Sequence, residues 1–556
     1  MSAGAEAGRL VDNVAAGRRR AAAVGMAILV VLMILPLVAV TSSLLVPGAY
    51  AGFLRQLGTV LPGYAANTIV VGAAVPVAAG AIGTGLAWLT TRYEFPGRRL
   101  LAAAAVAPIA VPTYVAAYAY AGFLDYTGPL QVGLRRLGFL EAGGIERVYL
   151  LPIASVPGLI LVLTVVLYPY VYMPVRAAFE RRSDRMLEAA ESLGMRRGLF
   201  LRVGLPSVRP ALAAGMLLAL METVAAYGAP FYLGVDTLTT GIFRSWFAAG
   251  DVLTALRLSA VLLILVLVAA RAERAGRGRA RYADAPAVTA ARRRRRRLGS
   301  GAGPAAAAVG GLAPAFGFLV PVGMMVVWTL DAHAAGHAAA GLGAALGGTV
   351  LAAGATAVAG VGVSLVLAWS TRPAGGGGPV ARAAVSAATS GYAIPGAVVA
   401  VGVLAVVTRA DPWGVLSGSF AALLYAYIVR YLAVVHRPVA AGFETIGPSM
   451  EWAARSLGRG SLGAMHRVHM PLARGSIAAG TILVFVEVAK ELPLTLVLRP
   501  FDFETLAVQA YARASDERLA QAGLPSLVLV ALSVGGIAVA RRLLNRPVPV
   551  RAGGAQ

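Results

Sequence analysis

Twelve apolar runs, each about as long as a bilayer's hydrocarbon core is thick, limit what this chain can become more than any other feature. They fall at about 22–47, 66–90, 100–122, 149–175, 207–229 and 252–270, and again at about 305–330, 346–369, 384–408, 416–435, 474–498 and 523–540. A helix of roughly 20 residues crosses the core, and a lone segment in lipid satisfies its backbone N–H and C=O groups only by being helical. The expectation is an all-α polytopic membrane protein of about 12 transmembrane helices, six per half. Composition excludes a soluble multidomain chain: 58% of residues are hydrophobic and only 13% charged, with a mean hydropathy of +0.75. The first run follows Arg18-Arg19-Arg20 and precedes Ala49-Tyr50-Ala51, in the manner of a secretory leader. Its apolar stretch is too long for a leader's h-region, so a retained span is expected.

Most of the 49 Lys and Arg residues lie in the termini and in the loops on the N-terminal side. The positive-inside bias therefore places both termini in the cytoplasm. A net charge of +24 raises nucleic acid as a partner, but the basic residues are spread over every loop on that side, without interleaved aromatics. Membrane lipid is the expected partner, and no nucleic acid. Arg292 to Arg297 lies in a polar stretch, 271–302, that reads as a solvated basic cytoplasmic linker. It separates a first half, 1–270, from a second, 303–556.

The halves repeat. At about 183–206 and 449–471, Met, Ala, Ala and Leu recur at i, i+3, i+4 and i+7, as Met186, Ala189, Ala190, Leu193 and as Met450, Ala453, Ala454, Leu457. This spacing puts them on one face of a short helix. Ser183 and Ser449 stand where an N-cap is expected, and Gly194 and Gly458 where the chain needs positive φ to leave the helix. Each copy then reads as a short helix, a glycine turn and a segment ending at Pro206 or Pro471. Such helices are marginal alone, and the alanine-rich stripe suits insertion into a partner's groove. Leu86-Ala87-Trp88 with Arg92 answers Leu367-Ala368-Trp369 with Arg372, Ala213-Ala214-Gly215 answers Ala478-Ala479-Gly480, and Glu222 answers Glu487. Two copies in one orientation imply a pseudo-two-fold axis along the membrane normal.

The pattern Glu188-Ala189-Ala190, Gly194, Pro206 resembles the coupling loop of permease subunits in bacterial binding-protein-dependent ABC importers. The second copy departs from it: Trp452 takes the glutamate slot, Glu451 lies one residue early, and one extra residue separates Gly458 from Pro471. The resemblance implies that Met186, Glu188, Ala189, Ala190, Leu193 and Gly194, with Met450, Glu451, Ala453, Ala454, Leu457 and Gly458, engage a separate homodimeric cytoplasmic ABC ATPase. It also implies a periplasmic or lipid-anchored substrate-binding protein and a place in the bacterial cytoplasmic (inner) membrane.

The chemistry expected of the chain itself is slight. Lys490 is the one lysine, so no GxxxxGK[ST] phosphate loop exists. ATP and Mg are expected on the partner ATPase, with no cofactor and no catalytic residue here. There is no cysteine, which removes thiolate chemistry, and His466 and His469 read as surface or interface residues. Glu222, Glu487, Lys490 and Glu491 lie inside spans, where a charge at the bilayer centre costs from about 2.5 to over 10 kcal/mol. Glu487 and Lys490, one turn apart, either pair with each other or line a translocation path with Glu222 and Glu491. Tyr118 and Tyr170 join the path candidates, although interfacial belts explain most membrane tyrosines. Glycines such as Gly80, Gly83, Gly85, Gly354, Gly360 and Gly362 read as helix-packing residues.

Leu220-Met221-Glu222-Thr223 with Tyr232 to Ile242, Lys490 to Thr495 with Leu498-Arg499-Pro500-Phe501, and Tyr392-Ala393-Ile394-Pro395-Gly396 look like the ferric-iron importer permeases with two fused halves. The implied cargo is ferric iron, whose hardness suits oxygen ligands; no metal-binding residues are assigned. Fused permeases for thiamine and other small solutes share this architecture. An ion-coupled secondary transporter using Glu222 and Glu487, and a membrane scaffold without transport, are the alternatives from other classes.

Overall fold

The computed structural model describes residues 24–46, 50–139, 152–181, 185–195, 198–276, 295–337, 340–372 and 378–544. Among these, nine helices are long and apolar enough to span a membrane: Val24–Leu45, Leu61–Arg92, Val156–Arg181, Phe200–Ala225, Val252–Glu273, Ala302–Ala334, Leu342–Thr371, Phe420–Glu444 and Leu519–Leu544. Two further spans are bent pairs, Arg98–Ala110 with Thr113–Arg136 at 100° and Ser461–Leu472 with Arg474–Ala489 at 75°. The apolar helix Gly396–Ala410 falls within the remaining run. The fold is all-α and polytopic, apart, among the described residues, from one two-residue parallel ladder.

The third span of each half is broken where the sequence suggested a continuous helix. In the first half Val111 and Pro112 are extended, with ψ of 118° and 144°; in the second Ile394 and Pro395 are extended, with ψ of 133° and 139°. Proline donates no hydrogen bond and drives the residue before it out of the α region, so both breaks fall at an Xaa-Pro step. Proline acts differently at the fifth span. A π turn, Phe200–Gly204 or Met465–His469, leads into each proline; the helix then runs on to Ala225 in the first half, but ends at Leu472 in the second, where the span bends by 75° before Arg474–Ala489. Widening to a π turn accommodates a residue that neither donates to the turn before it nor clears its carbonyl.

The chain forms two compact units, one from the described parts of 46–346 and 504–534, the other from those of 1–45, 347–503 and 535–556. The first span of each sequence half thus belongs to the unit built on the other half. In one unit Tyr120 donates to the Phe316 carbonyl; in the other Tyr425 donates to the Leu32 carbonyl.

Each unit centres on a fourth span gripped by glycines. A Cβ on Gly83 would lie 2.8 Å from the Tyr172 nitrogen, and one on Gly215 2.8 Å from Val171 Cα. The other unit repeats this at Gly480, 3.0 Å from the Val435 carbonyl oxygen, and Gly360, 3.3 Å from a Val435 methyl. The packing expectation therefore holds for Gly80, Gly83 and Gly360. Gly85, Gly354 and Gly362 have open space around them.

The tyrosines are core residues and not an interfacial belt: Tyr114, Tyr118, Tyr120, Tyr168, Tyr170 and Tyr172 are buried, and Tyr126 is exposed. Several bond inward, as Tyr120 does to Phe316 and Tyr172 does to the Ala102 carbonyl.

The far end of the basic linker is docked. Tyr93–Glu94 pairs in parallel with Arg296–Arg297, Leu298 N–H donates to the Glu94 carbonyl, and the Glu94 carboxylate meets Arg98 at 3.0 Å and Arg295 at 3.6 Å. Residues 277–294, including Arg292 to Arg294, lie outside the described part of the chain.

Overpacking a tight contact costs about 1–3 kcal/mol, so Gly215→Leu and Gly480→Leu are expected to lower the thermal denaturation midpoint of the purified protein. Gly85→Leu, which meets open space, is expected to leave it within error.

Candidate functional site

The two repeated loops form matching joints. The loop helices are Arg185–Ser192 and Pro448–Ser456. Each ends in a Schellman motif. Gly194 N–H donates to the Glu191 carbonyl and Met195 N–H to that of Ala190; Gly458 donates to Arg455 and Arg459 to Ala454. Gly194 has φ +83° and Gly458 φ +77°, with nothing near the missing Cβ of either. Conformation, not space, requires glycine there. Gly198 also has positive φ, +76°. The expected cap at Ser449 is displaced: Gly447 is the N-cap and Pro448 the first helical residue, a place where proline's fixed φ and missing N–H cost little. Ser183 lies outside the described residues.

The Met/Ala/Leu stripe turns mostly outward. Leu193 is 88% exposed, Leu457 80% and Met450 50%; Glu188, Ala189 and Ala453 are exposed and Ala190 half-buried, while Ala454 faces inward. Met186 belongs to the first helix, its side chain outside the described part. Trp452, in the glutamate slot, is exposed as well.

The inward face makes a contact that the sequence reading overlooked. Arg92, at the end of the second span, pairs with Glu191 at 2.5 Å. Arg372, its counterpart in the second half, grips Glu451 with two nitrogens at 3.1 and 3.3 Å. The partners occupy different positions. Glu191 lies three residues before Gly194, whereas the residue three before Gly458 is Arg455. The acidic group has moved one helical turn back to Glu451, and Arg455 meets it at 2.6 Å. One joint holds a single pair; the other pinches a carboxylate between two guanidiniums. The signal lay in the repeated Leu-Ala-Trp and arginine motif, whose tryptophans join the same structure. Trp88 packs on Phe179 and Phe200, the latter opening the π turn, and Gly204 leaves room for its ring. Trp369 packs edge-on against His469, lies under Arg372 at 3.3 Å and donates to Ser461. His469 is buried by these contacts, and His466 is exposed.

Burial alone would raise the Glu451 pKa, but hydrogen bonds and charge from Arg372 and Arg455 outweigh it and hold the carboxyl below the usual carboxylate range.

The candidate path residues belong to several helices and to both units. Glu222 is half-buried in the last turn of Phe200–Ala225. Glu487 pairs with Lys490 at 2.9 Å, so the expected one-turn pair is present. Glu491 is buried and accepts from the Leu494 and Thr495 N–H groups, which open the short helix Pro493–Leu498. Arg430 lies beside it, since a Cβ on Gly396 would be 2.6 Å from Arg430 Nη1 and 2.9 Å from Glu491 Oε1. Tyr118 is fully buried, bonded to the Ser526 hydroxyl and packed on Tyr232 and Trp328. Tyr170 is buried in the fourth span. Among the described residues no group of three or more His, Cys, Asp or Glu is placed to hold a metal ion.

No family model matches the chain. Individual proteins do. The sulfate transport system permease protein CysT of Escherichia coli is 32% identical over 155 residues, 28% of this chain and 52% of that protein. The probable molybdenum ABC transporter permease protein of Haloferax volcanii is 28% identical over 214 residues, 36% of this chain and 73% of that protein. Together with the duplicated helical plan, these define the class: the chain is an ABC permease with two fused halves. A likeness through both halves is that to the Fe(3+)-transport system permease protein FbpB 2 of Haemophilus influenzae, 24% identical over 485 residues, 84% of this chain and 87% of that protein.

A side chain at either joint glycine costs about 1–2 kcal/mol in the left-handed region. Gly194→Ala and Gly458→Ala are therefore expected to raise amide exchange across their loop helices, and Gly460→Ala, at φ −65°, is not. The second helix should also resist acid. Because the folded-state pKa of Glu451 is lowered, its stabilisation is complete above the unfolded value and is lost only as pH falls through the lower folded one. Protection of Pro448–Ser456 should therefore persist to about pH 4.3, the ordinary glutamate value, and fail below it.

Proposed function

We propose that this permease is the membrane subunit of a binding-protein-dependent importer in the bacterial cytoplasmic membrane, with ferric iron as cargo. The observation that carries the reading is the pair of loop helices. Each is fixed at its C-terminus by a left-handed glycine, and each exposes part of its Met/Ala/Leu stripe, Ala189 and Leu193 in the first copy and Met450, Ala453 and Leu457 in the second. Two short helices with outward apolar stripes suit insertion into clefts of a two-fold partner. A homodimeric ATPase holding ATP and Mg supplies such clefts, and the positive-inside bias puts the loops in its compartment. ATP-driven closure of that dimer would displace the loop helices and rock the helix bundles between outward and inward access.

The cargo reading rests on the FbpB 2 likeness through both halves and on Glu222 and Glu487, equivalent carboxylates of the two fifth spans. Carboxylate oxygen suits a hard cation, whereas an oxyanion is better met by N–H donors and arginine. A periplasmic or lipid-anchored binding protein would deliver the cargo.

The test is reconstitution with a cognate ATPase and binding protein, comparing uptake of radioactive ferric iron, sulfate and molybdate. ATP-dependent iron uptake is expected, with no hydrolysis by the permease alone. Sulfate or molybdate uptake without iron uptake would reassign the cargo; uptake driven by an ion gradient without the ATPase would overturn the importer. Glu222→Gln with Glu487→Gln is expected to cut iron flux about tenfold or more while ATPase co-purification is retained, consistent with the functional cost of intramembrane charge.

A further inference from the structure

We infer that Arg92 and Arg372 are positioning residues that tie the loop helices to the second span of each half, and that the first tie is compliant and the second stiff. The inference rests on the importer reading for its consequence in transport; the difference in stiffness stands on the geometry alone. Each loop helix packs on segments that follow it in the chain, while the arginine carries it to a membrane-spanning helix. In the first joint the Arg92 side chain is as buried as that of Arg372, 8% exposed, but that of Glu191 is 34% exposed and meets this one guanidinium. In the second, that of Glu451 is 1% exposed, held by Arg372 through two nitrogens and by Arg455 one turn away. Arg372 is in turn pinned over Trp369. A carboxylate that water reaches on one side is screened by salt more than a buried one and restrains less. A buried carboxylate with two cationic partners is screened far less, and removing one partner leaves a buried charge uncompensated.

The exchange of residues explains why the halves differ in stiffness and not only in sequence. Where the first helix carries Glu191, the second carries Arg455, and the acid sits one turn earlier on the same inward face. Had only the charge at that position changed, Arg372 would face Arg455 directly. Moving the acid back one turn places it between two arginines. Displacement of the second loop helix is therefore passed to its span with little slack, and displacement of the first is partly absorbed at the joint.

The chain contains no cysteine, so Leu193→Cys and Leu457→Cys each give a single labelling site at an exposed position. Spin labels there, on the purified permease without ATPase, are expected to show first-loop mobility rising from low to molar salt and second-loop mobility unchanged. Arg92→Gln should mobilise the first label and abolish its salt response, and the exchange Arg92→Glu with Glu191→Arg should restore both. In the unlabelled, reconstituted importer, Arg372→Gln is expected to lower substrate moved per ATP hydrolysed about tenfold and Arg92→Gln about two- to threefold, following the difference between a buried and a partly hydrated carboxylate, with ATPase co-purification retained. Equal salt response at both labels would overturn the stiffness difference. If Arg372→Gln lowers folded yield and ATPase binding together without changing the transport-to-hydrolysis ratio, Arg372 is a folding residue and the inference fails. If wild-type permease binds no ATPase, the importer reading fails while the mobility experiment still decides the joint.

Discussion

Inside a bilayer a backbone carbonyl that loses its helical partner has no water to turn to, and this constraint organises much of the polar chemistry in the protein. The π turn Ala315–Leu319 shows how. Val320 N–H reaches back to the Ala315 carbonyl, and the next carbonyl, of Phe316, would look to residue 321. That residue is proline. The Tyr120 hydroxyl donates to Phe316 instead, at 2.6 Å. The same reasoning covers other interruptions. Arg430 donates to the Ile394 carbonyl at the broken third span of the second half, and Thr239 to Val224 where the fifth span of the first half ends. Asn67 donates to Asp236 in the segment that follows. Buried tyrosine, threonine and arginine serve the places where helices stop.

This explains which features were legible in the sequence. Hydropathy located twelve runs because it averages over a span's length, and the averaging hides an interruption such as Val111-Pro112. The prolines were visible, yet a proline ends one helix and only widens another, as at Pro206. The outcome depends on whether a neighbouring group can satisfy the freed carbonyl. The glycine turns at Gly194 and Gly458 were readable because φ is a local property. The Glu487–Lys490 pair was readable because both residues lie on one helix. Arg92 with Glu191 was not, since they lie 99 positions apart, and the matching slot of the second loop carries the opposite charge. Tyr118 and Tyr170 were grouped with the path on chemistry alone; their burial depends on packing partners that sequence spacing does not reveal.

The two joints show what duplication preserves and what it releases. Backbone devices survive in both copies: the Schellman glycine, the π turn before proline, and the glycine contacts at Val171 and Val435. Side-chain partners have been exchanged, with Gly204 standing where the other copy has His469, and Glu191 where it has Arg455. Geometry fixed by backbone conformation tolerates little change, whereas an ion pair is retained if the acid moves by one turn, because residues i and i+4 share a helix face.

The exchange of first spans also bears on how the molecule is made. The helix Val24–Leu45 is made before the rest of its unit, and the contact of Leu32 with Tyr425 waits for a residue 393 positions further on. Sequence separation of this size makes assembly slow and exposes unfinished surfaces. The biogenesis of this permease is thus bound to the pace of translation, and the helix Val24–Leu45 completes its packing only once the second half has been made.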